Sequence, residues 1–337
     1  MRPRRNDHGR HKSGQSGAGE HGNASMRILV TGANGFIGRA LTQHLIVLGH
    51  DIACAIRRPN PLIPGVRTVP VGDIGALTNW RAAMQGISVV VHLAGLVHLP
   101  ELSRRSRVGE LYNAINIGGT RSLALAAAEA GVNRLIFVSS ISVNGETSGR
   151  QPFHEEDPPA PQGAYALSKL EAERSIIDIA KTHAMTWCIV RPPLVYGPNA
   201  RGNFRRLAQW IARGWPLPLG SATAKRSYIA LDNLVSVLVA ALDAPGAADA
   251  LLLASDGEDV STADFVRCIA EHMSTNVRLV SVPPAIVKTV AAAVGRASDA
   301  SKLFDPLQID NSLVRDRLTW KPVVSLDEGM RRAMTVP

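Results

Sequence analysis

Tyr165 and Lys169 stand four residues apart in "YALSK", a spacing that places both on one face of a helix. A free phenol has a pKa near ~10 and is a poor acid or base at neutral pH. An ammonium about 4 Å away, at an effective dielectric of ~20, supplies about 4 kcal/mol, the order needed to bring that pKa to ~7. The pair is a candidate acid/base couple. Upstream, "FVSSISVNG" closes an apolar run and sets Ser139, Ser140 and Ser142 close together. A hydroxyl there can hold a substrate oxygen while Tyr165 takes or gives its proton and a hydride moves at the adjacent carbon. The chemistry is oxidation of an alcohol or reduction of a ketone. Tyr and Lys recur at this spacing by chance, so the serines and a hydride carrier must stand beside them.

A site for that carrier is legible in "TGANGFIG", Thr31 to Gly38, directly after "RILV". Gly32 permits a tight strand-to-helix turn, Gly35 lets a pyrophosphate reach the backbone, and Gly38 lets the helix pack close to the strand. The helix then starts at Phe36 and Ile37, offering unpaired N–H groups and partial positive charge to phosphates. Asp73 and Ile74 of "VGDI" follow a later strand, where the carboxylate can accept from an adenine amino group or simply cap the loop. "HLAG" supplies Leu93, Ala94 and Gly95 as small strand-end residues across which a dinucleotide can lie. His92 reads as a hydrogen-bonded strand-end histidine rather than a catalyst, and His98 lies nearer a possible substrate. At the end of the second strand, where a carboxylate would bind the NAD ribose, stands "AIRRP". Arg57 and Arg58 would attract a 2′-phosphate, so the expected cofactor is NADP rather than NAD.

The elements that must position these residues alternate along the chain. "RILV", "DIACAI", "RTVPV", "SVVVHLA", "RLIFVSS" and "TWCIVR" read as strands, with helices over Gly35 to Leu48, Leu77 to Met84, Leu111 to Ala130 and Ala164 to Thr182. Strands apolar on both faces, separated by helices, predict an α/β fold: a doubly wound parallel sheet covered on both sides. After "RPPLVYGP" the alternation breaks, which predicts a smaller, mainly helical substrate lobe. The expected organisation is a disordered tail over 1–25, a dinucleotide-binding domain over 26–191 and the substrate lobe over 192–337. "PPAIVKTVAAAVG", Pro283 to Gly295, reads as a buried helix in preference to a membrane-surface one.

Composition narrows the class. Apolar residues make up 45% and charged ones 19% of 337 residues, as in soluble globular chains, and no apolar run reaches the roughly 18–20 residues of an integral membrane segment. The net charge of +9 includes five basic and two acidic side chains in the first 25 residues. The remainder forms no basic stripe with aromatics and reads as a solvated basic surface; a small anionic ligand would explain it as well as nucleic acid, which is not expected. Three widely spaced cysteines without a CxxC predict neither disulfides nor a metal site, and a reducing, cytoplasmic setting.

In order, "TGANGFIG", "GDI", "HLAG", "NIGGT", "SSISVNG", "YALSK" and "RPPLVYGP" resemble the motifs of the extended short-chain dehydrogenases/reductases. More narrowly, Met26 to Pro337 is similar to the nucleotide-sugar epimerase/dehydratase family and its UDP-glucose 4-epimerase-like branch. The resemblance implies the Rossmann architecture, a UDP-sugar substrate and a homodimer paired through Leu111 to Ala130 and Ala164 to Thr182. It makes Ser140, Tyr165 and Lys169 catalytic, with Tyr165 and Lys169 also meeting the cofactor, and Asn116 of "NIGGT" a supporting residue or a helix cap. Pro192 of "RPPLVYGP" joins the cofactor set. Ser140, Ser142 and His98 fall on the sugar side, Asn203 of "RGNFRRL" on the nucleotide diphosphate, and Arg226 on a phosphate, with Asp232 structural. The family's late Arg-Pro-Gly-Asp contact is missing. A 4,6-dehydratase carries Asp and Glu immediately after the catalytic Thr, where this chain has Ile141 and Ser142, so dehydration is not expected. Two reactions at C4 of a UDP-sugar remain: reduction of a 4-keto-(6-deoxy) sugar, placed first because of Arg57 and Arg58, and 4-epimerisation with retained NAD. A non-catalytic cofactor sensor or assembly protein would be expected to have lost Tyr165 or Lys169.

Overall fold

In a computed structural model that describes residues 25–58, 66–97, 107–200 and 202–335, six strands carry the first half of the chain. They are β1 (Arg27–Thr31), β2 (Asp51–Ile56), β3 (Arg67–Pro70), β4 (Val89–His92), β5 (Arg134–Val138) and β6 (Thr186–Arg191). Three short strands follow, β7 (Leu194–Tyr196), β8 (Lys225–Arg226) and β9 (Tyr228–Ala230), then β10 (Ala250–Leu253) and β11 (Val260–Ser261). The main sheet has the order β10-β6-β5-β4-β1-β2-β3 and is parallel at every pairing. The strand order reverses between β1 and β4, which opens a crevice at the carboxyl edge.

Alternation along the strands explains why both faces are covered. In β1, Ile28 and Val30 enter one apolar layer, together with Leu41 and Leu45 of α1 (Phe36–Val47). Leu29 enters the opposite layer. That second layer is closed by Leu123 and Ala127 of α3 (Thr120–Glu129) and by Ala172 and Ile176 of α4 (Gly163–Ala180). Before α3, the expected single helix over 111–130 is α2 (Val108–Tyr112) running through a π-helical segment, Asn113–Gly119, into α3. The widened turn sets Asn116 inside the protein, 2% exposed, rather than at a helix start. The expected helix over Leu77 to Met84 is instead a series of turns. Trp80, Ala83, Met84 and Ile87 are buried there at helical spacing, but the bonds that close are short-range, from Ala83 and Met84 N–H to the Trp80 carbonyl.

Beyond β6 the chain builds the mainly helical lobe from α5 (Asn203–Ala212), α7 (Thr262–His272), α8 (Pro284–Ala293), α9 (Ala297–Phe304) and α11 (Leu326–Thr335). It also returns to the sheet: α6 (Leu231–Ala240) and α10 (Ser312–Leu318) pack on the α1 face, and β10 extends the sheet beside β6. The lobe has its own core, where the Tyr228 and Phe265 rings stack at 3.9 Å. A strap crosses back, with Leu307 bridging to Arg226 and Ile309 to Phe153. Asp232 meets Arg332 of α11 at 3.5 Å, a structural contact. The segment Pro283 to Gly295 does not form a buried helix; none of the α8 residues is buried.

One buried ion pair fastens the helix of Tyr165 and Lys169 to the sheet. Glu173 on α4 accepts from Arg191 at the end of β6 through both carboxylate oxygens, at 2.9 and 2.5 Å, and both side chains are under 5% exposed. Arg191 also donates to Asn144 Oδ1 at 2.8 Å. Removing one partner leaves the other charge buried and unpaired, at a cost of about 3–5 kcal/mol. Glu173→Gln is therefore expected to lower unfolding stability by about 3 kcal/mol in urea titration, and Glu173→Leu combined with Arg191→Met to regain more than half of that loss.

Candidate active site

Two adjacent elements bring the chemistry together at the carboxyl edge: β5, ending at Val138, and the first turns of α4. Lys169 is buried, 6% exposed. Its Nζ donates to the Val138 carbonyl at 2.8 Å and lies 4.1 Å from the centre of the Phe137 ring. The strand end holds the cation with a carbonyl dipole and a π-face. Just beyond it, Ser140 caps a single 3-10 turn, Ile141–Val143, and its Oγ accepts from the Ser142 hydroxyl at 2.9 Å and the Ser142 N–H at 3.2 Å. Tyr165 faces this pair, with the Tyr112 ring 5.9 Å away. Tyr112 donates to the Val97 carbonyl at 3.3 Å; its place beside Tyr165 follows from the π-helical segment and carries no motif signal.

The expected electrostatics of the pair are not what the protein's own groups produce. Burial pushes the Tyr165 phenol up to about 12, with the Ser140 hydroxyl drawing it down and Tyr112 adding to the rise. Burial pulls Lys169 down to about 7, with Glu173 opposing. The Lys169 ammonium is directed at Val138 rather than at the phenol, so desolvation outweighs mutual attraction. With the protein's own groups alone, Tyr165 holds its proton at neutral pH.

Around these groups the cofactor candidates form a continuous floor. Gly32 takes φ +70°, and a Cβ there would sit 2.7 Å from the Ala94 backbone nitrogen. At Gly38 a Cβ would run into the Gly32 carbonyl. Gly35 N–H donates to the same carbonyl at 2.8 Å, and α1 opens at Phe36 and Ile37. The Thr31 Oγ1 accepts from the Leu93 and Ala94 N–H groups, each at 3.2 Å, and lies 2.6 Å from His92 Nδ1. With those two donors on it, Thr31 gives its own proton to Nδ1, and His92 Nε2–H donates to Thr120 Oγ1 at 2.9 Å. His92 is thus a satisfied core histidine, and Thr31 is the residue that ties the glycine turn to "HLAG". Asn116 accepts from Leu96 N–H at 2.7 Å and donates to the Leu96 carbonyl and Ser168 Oγ, both at 3.0 Å. It clamps the loop after β4 onto α4. A Cβ on Gly95 would lie 3.3 Å from Asn116 Oδ1 and 3.9 Å from Lys169 Nζ, so the glycine keeps Lys169 open to a ligand. Pro192 receives the Ile141 N–H at 3.0 Å, and Ile74 packs beneath Gly119. Arg57, expected at a 2′-phosphate, is instead paired with Asp73 at 2.9 Å, and Arg58 is exposed. His98 lies outside the described residues.

Farther out, Asn203 is exposed at the start of α5. Arg226 is only 8% exposed. It donates to the Asp305 backbone carbonyl, and burial holds its guanidinium below the ordinary value. Among the described residues no carboxylate pairs with it.

The profile of the NAD dependent epimerase/dehydratase family matches residues 28–252. A UDP-glucose 4-epimerase of Vibrio cholerae is 38% identical over 308 residues, which cover 90% of this chain and 93% of that one. The chain belongs to the NAD dependent epimerase/dehydratase family. A 3 beta-hydroxysteroid dehydrogenase/Delta 5→4-isomerase of Mycobacterium tuberculosis is 30% identical over 73% of this chain and 69% of its own. Among solved structures, a UDP-glucuronic acid 4-epimerase from Bacillus cereus in complex with NAD has TM-score 0.75 at 24% identity, covering 92% of this chain and 96% of that one. MoeE5 in complex with UDP-glucose and NAD has TM-score 0.72 at 26% identity, covering 91% and 97%.

For this member of the epimerase/dehydratase family, the dinucleotide of the family fits the residues present. A Cβ at Gly32, Gly35 or Gly38 would meet the protein's own backbone, so the tight turn that offers its N–H groups to a dinucleotide needs glycine there, and a Cβ at Gly95 would come within 3.9 Å of Lys169 Nζ. The same floor makes the protein acid-sensitive. Burial brings His92 down to about 3 from an ordinary 6.5, with the Lys169 cation adding to the fall. Between those values the unfolded chain binds a proton that the folded one does not. Stability is therefore present in full above about 6.5 and lost as pH falls, by up to roughly 1.4 kcal/mol per pH unit. Urea unfolding from pH 7 to 4.5 is expected to show this slope, and His92→Asn to lack it.

Proposed function

We propose that the protein is a 4-epimerase of a UDP-hexose, using NAD that stays bound through the cycle. The observation that carries this reading is the Ser140/Tyr165/Lys169 arrangement beside a glycine-lined turn, together with an Arg226 in the lobe that is buried and held by the Asp305 carbonyl and the Tyr228 hydroxyl rather than by a carboxylate of the described residues. The family relative from Vibrio cholerae, similar over nearly its whole length, supports the same choice. A buried cation without a carboxylate is costly unless an anion completes it. A diphosphate does so, and a steroid, the substrate named for the mycobacterial relative, does not. Arg57 meets Asp73 at the surface, and the description of the family as NAD dependent favours NAD over NADP. Arg58 remains the one residue favouring the second reading, net reduction of a 4-keto sugar by exchangeable NADPH.

When bound, NAD would supply the hydride acceptor and donor, and its positive charge would favour ionisation of a nearby phenol. Ser140 holds the oxygen on C4, its hydroxyl oriented by Ser142. Tyr165 takes the C4 hydroxyl proton as the alcohol becomes a ketone and returns it when the hydride comes back on the other face. Lys169, beside Gly95, would bind the cofactor's ribose. Arg226, with Asn203 at the α5 start, receives the diphosphate. Ile141, 5% exposed and packed on Leu253, Leu307 and Ile309, offers no acid for water elimination.

The protein acts as a homodimer in the cytoplasm on this reading. Leu111 of α2, Leu125 of α3 and Leu167 of α4, 40, 42 and 50% exposed, offer apolar side chains to a second copy, and the three cysteines are free thiols.

Tyr165→Phe is expected to lower turnover of UDP-glucose or UDP-N-acetylglucosamine by a factor of about 10²–10⁴ with cofactor binding retained; undiminished turnover would remove Tyr165 from the mechanism. Arg226→Gln is expected to weaken UDP binding by roughly ten- to a hundredfold in calorimetry. Nucleotide released from the purified protein by denaturation is expected to be NAD; an empty site that fills with NADPH would move the assignment to the reductase.

A further inference from the structure

Helix α8 presents its apolar side outward. Its single charged residue, Lys288, turns toward the protein and meets Asp305 Oδ1 at 2.5 Å. Ile286, Val290 and Val294, at successive intervals of four, stand 55, 60 and 63% exposed. Ala285, Ala292 and Ala293 are exposed as well, while Val287 packs on the lobe core. The outward hydroxyl of Thr289 donates to the Ala285 carbonyl at 2.8 Å, so it presents no free donor. Val280, four residues before the helix, is also 43% exposed, on the short edge segment whose backbone pairs with Leu217 and Gly220. An ordinary surface helix has the reverse arrangement, and an aliphatic stripe left in water marks something that covers it.

Charge says what. Between Glu271 and Asp299 the chain has no acidic residue, and it carries Arg278, Lys288 and Arg296. Arg278 and Arg296, just before and just after this surface in the chain, are exposed. A second copy docked here would set Arg278 and Arg296 against their own counterparts, with Asp299 in the first turn of α9 as the nearest carboxylate in the chain to receive them. A protein groove partner would need polar groups at the rim to fix its register, and the outward side chains of α8 supply none. The helix presents an exposed aliphatic stripe with an arginine before it and one after it in the chain, a composition suited to the boundary between anionic headgroups and acyl chains. No described helix is long and apolar enough to cross a membrane, so the contact is peripheral.

We propose that α8 docks this protein on an anionic lipid surface, with Ile286, Val290 and Val294 in the acyl boundary and Arg278 and Arg296 on the lipid phosphates. The inference is independent of the reaction proposed above.

Co-sedimentation of the full chain with vesicles of equimolar phosphatidylglycerol and phosphatidylcholine tests it. The protein is expected to bind these roughly tenfold or more tightly than phosphatidylcholine alone, and Ile286→Ser/Val290→Ser/Val294→Ser to lose roughly tenfold on the anionic vesicles. Arg278→Gln/Arg296→Gln is expected to lose binding to the anionic vesicles to a similar degree. Every variant keeps the basic first 25 residues, so their contribution cancels. If the triple variant melts early, Val290→Ser alone reads the same loss at about threefold. Failure to sediment with anionic vesicles, or equal sedimentation of wild type and triple variant, would overturn the proposal. So would a triple variant that light scattering shows to have fallen from dimer to monomer, since the stripe would then be a contact between copies.

Discussion

Burial of the Lys169 ammonium at the end of β5 is the constraint around which the rest is arranged. The group is held by one carbonyl and one aromatic face, partners that orient a cation without neutralising it. The full countercharge stands one turn further along α4, at Glu173, and that carboxylate is committed at both oxygens to Arg191. The lysine is left close to the point of losing its proton while the phenol keeps its own, so the site has suppressed charge on both members of its acid/base pair. A ligand that brings charge of its own alters this balance more than it would in water, because the surroundings are apolar.

The floor beside that site is built by absence and by clamps. Glycines leave room at the turn after β1 and at the end of "HLAG". Thr31, His92 and Thr120 form a closed chain of hydrogen bonds, and Asn116 ties the following loop to α4. These clamps hold a backbone surface that has few side chains to support it. The π-helical segment is part of the same device: by shifting register it turns Asn116 inward and sets Tyr112 against Tyr165.

The lobe shows the opposite economy. Arg226 is buried without a carboxylate partner among the described residues, and Asp305, which takes Arg226 on its backbone carbonyl, gives its carboxylate to Lys288. That ion pair directs the polar side of α8 inward and its aliphatic side out. One local choice of partner therefore decides both the charge left for a ligand and the surface offered to solvent.

The parallel sheet, the glycine turn and the Ser140, Tyr165 and Lys169 set were legible in the sequence because each rests on short-range regularities: strands apolar at every position, a glycine every third residue, a four-residue helical spacing. What stayed hidden depended on partners far away in the chain. The pairing of Arg57 with Asp73, the return of β10 to the sheet, Tyr112 beside Tyr165 and the failure of 77–84 to become a helix are all set by packing between distant segments, as is the outward face of α8. Residue types and spacing alone determined which groups this protein could use for hydride and proton chemistry. Only the tertiary structure decided their protonation, because desolvation depends on how completely the surrounding chain closes over each group and no local pattern records it.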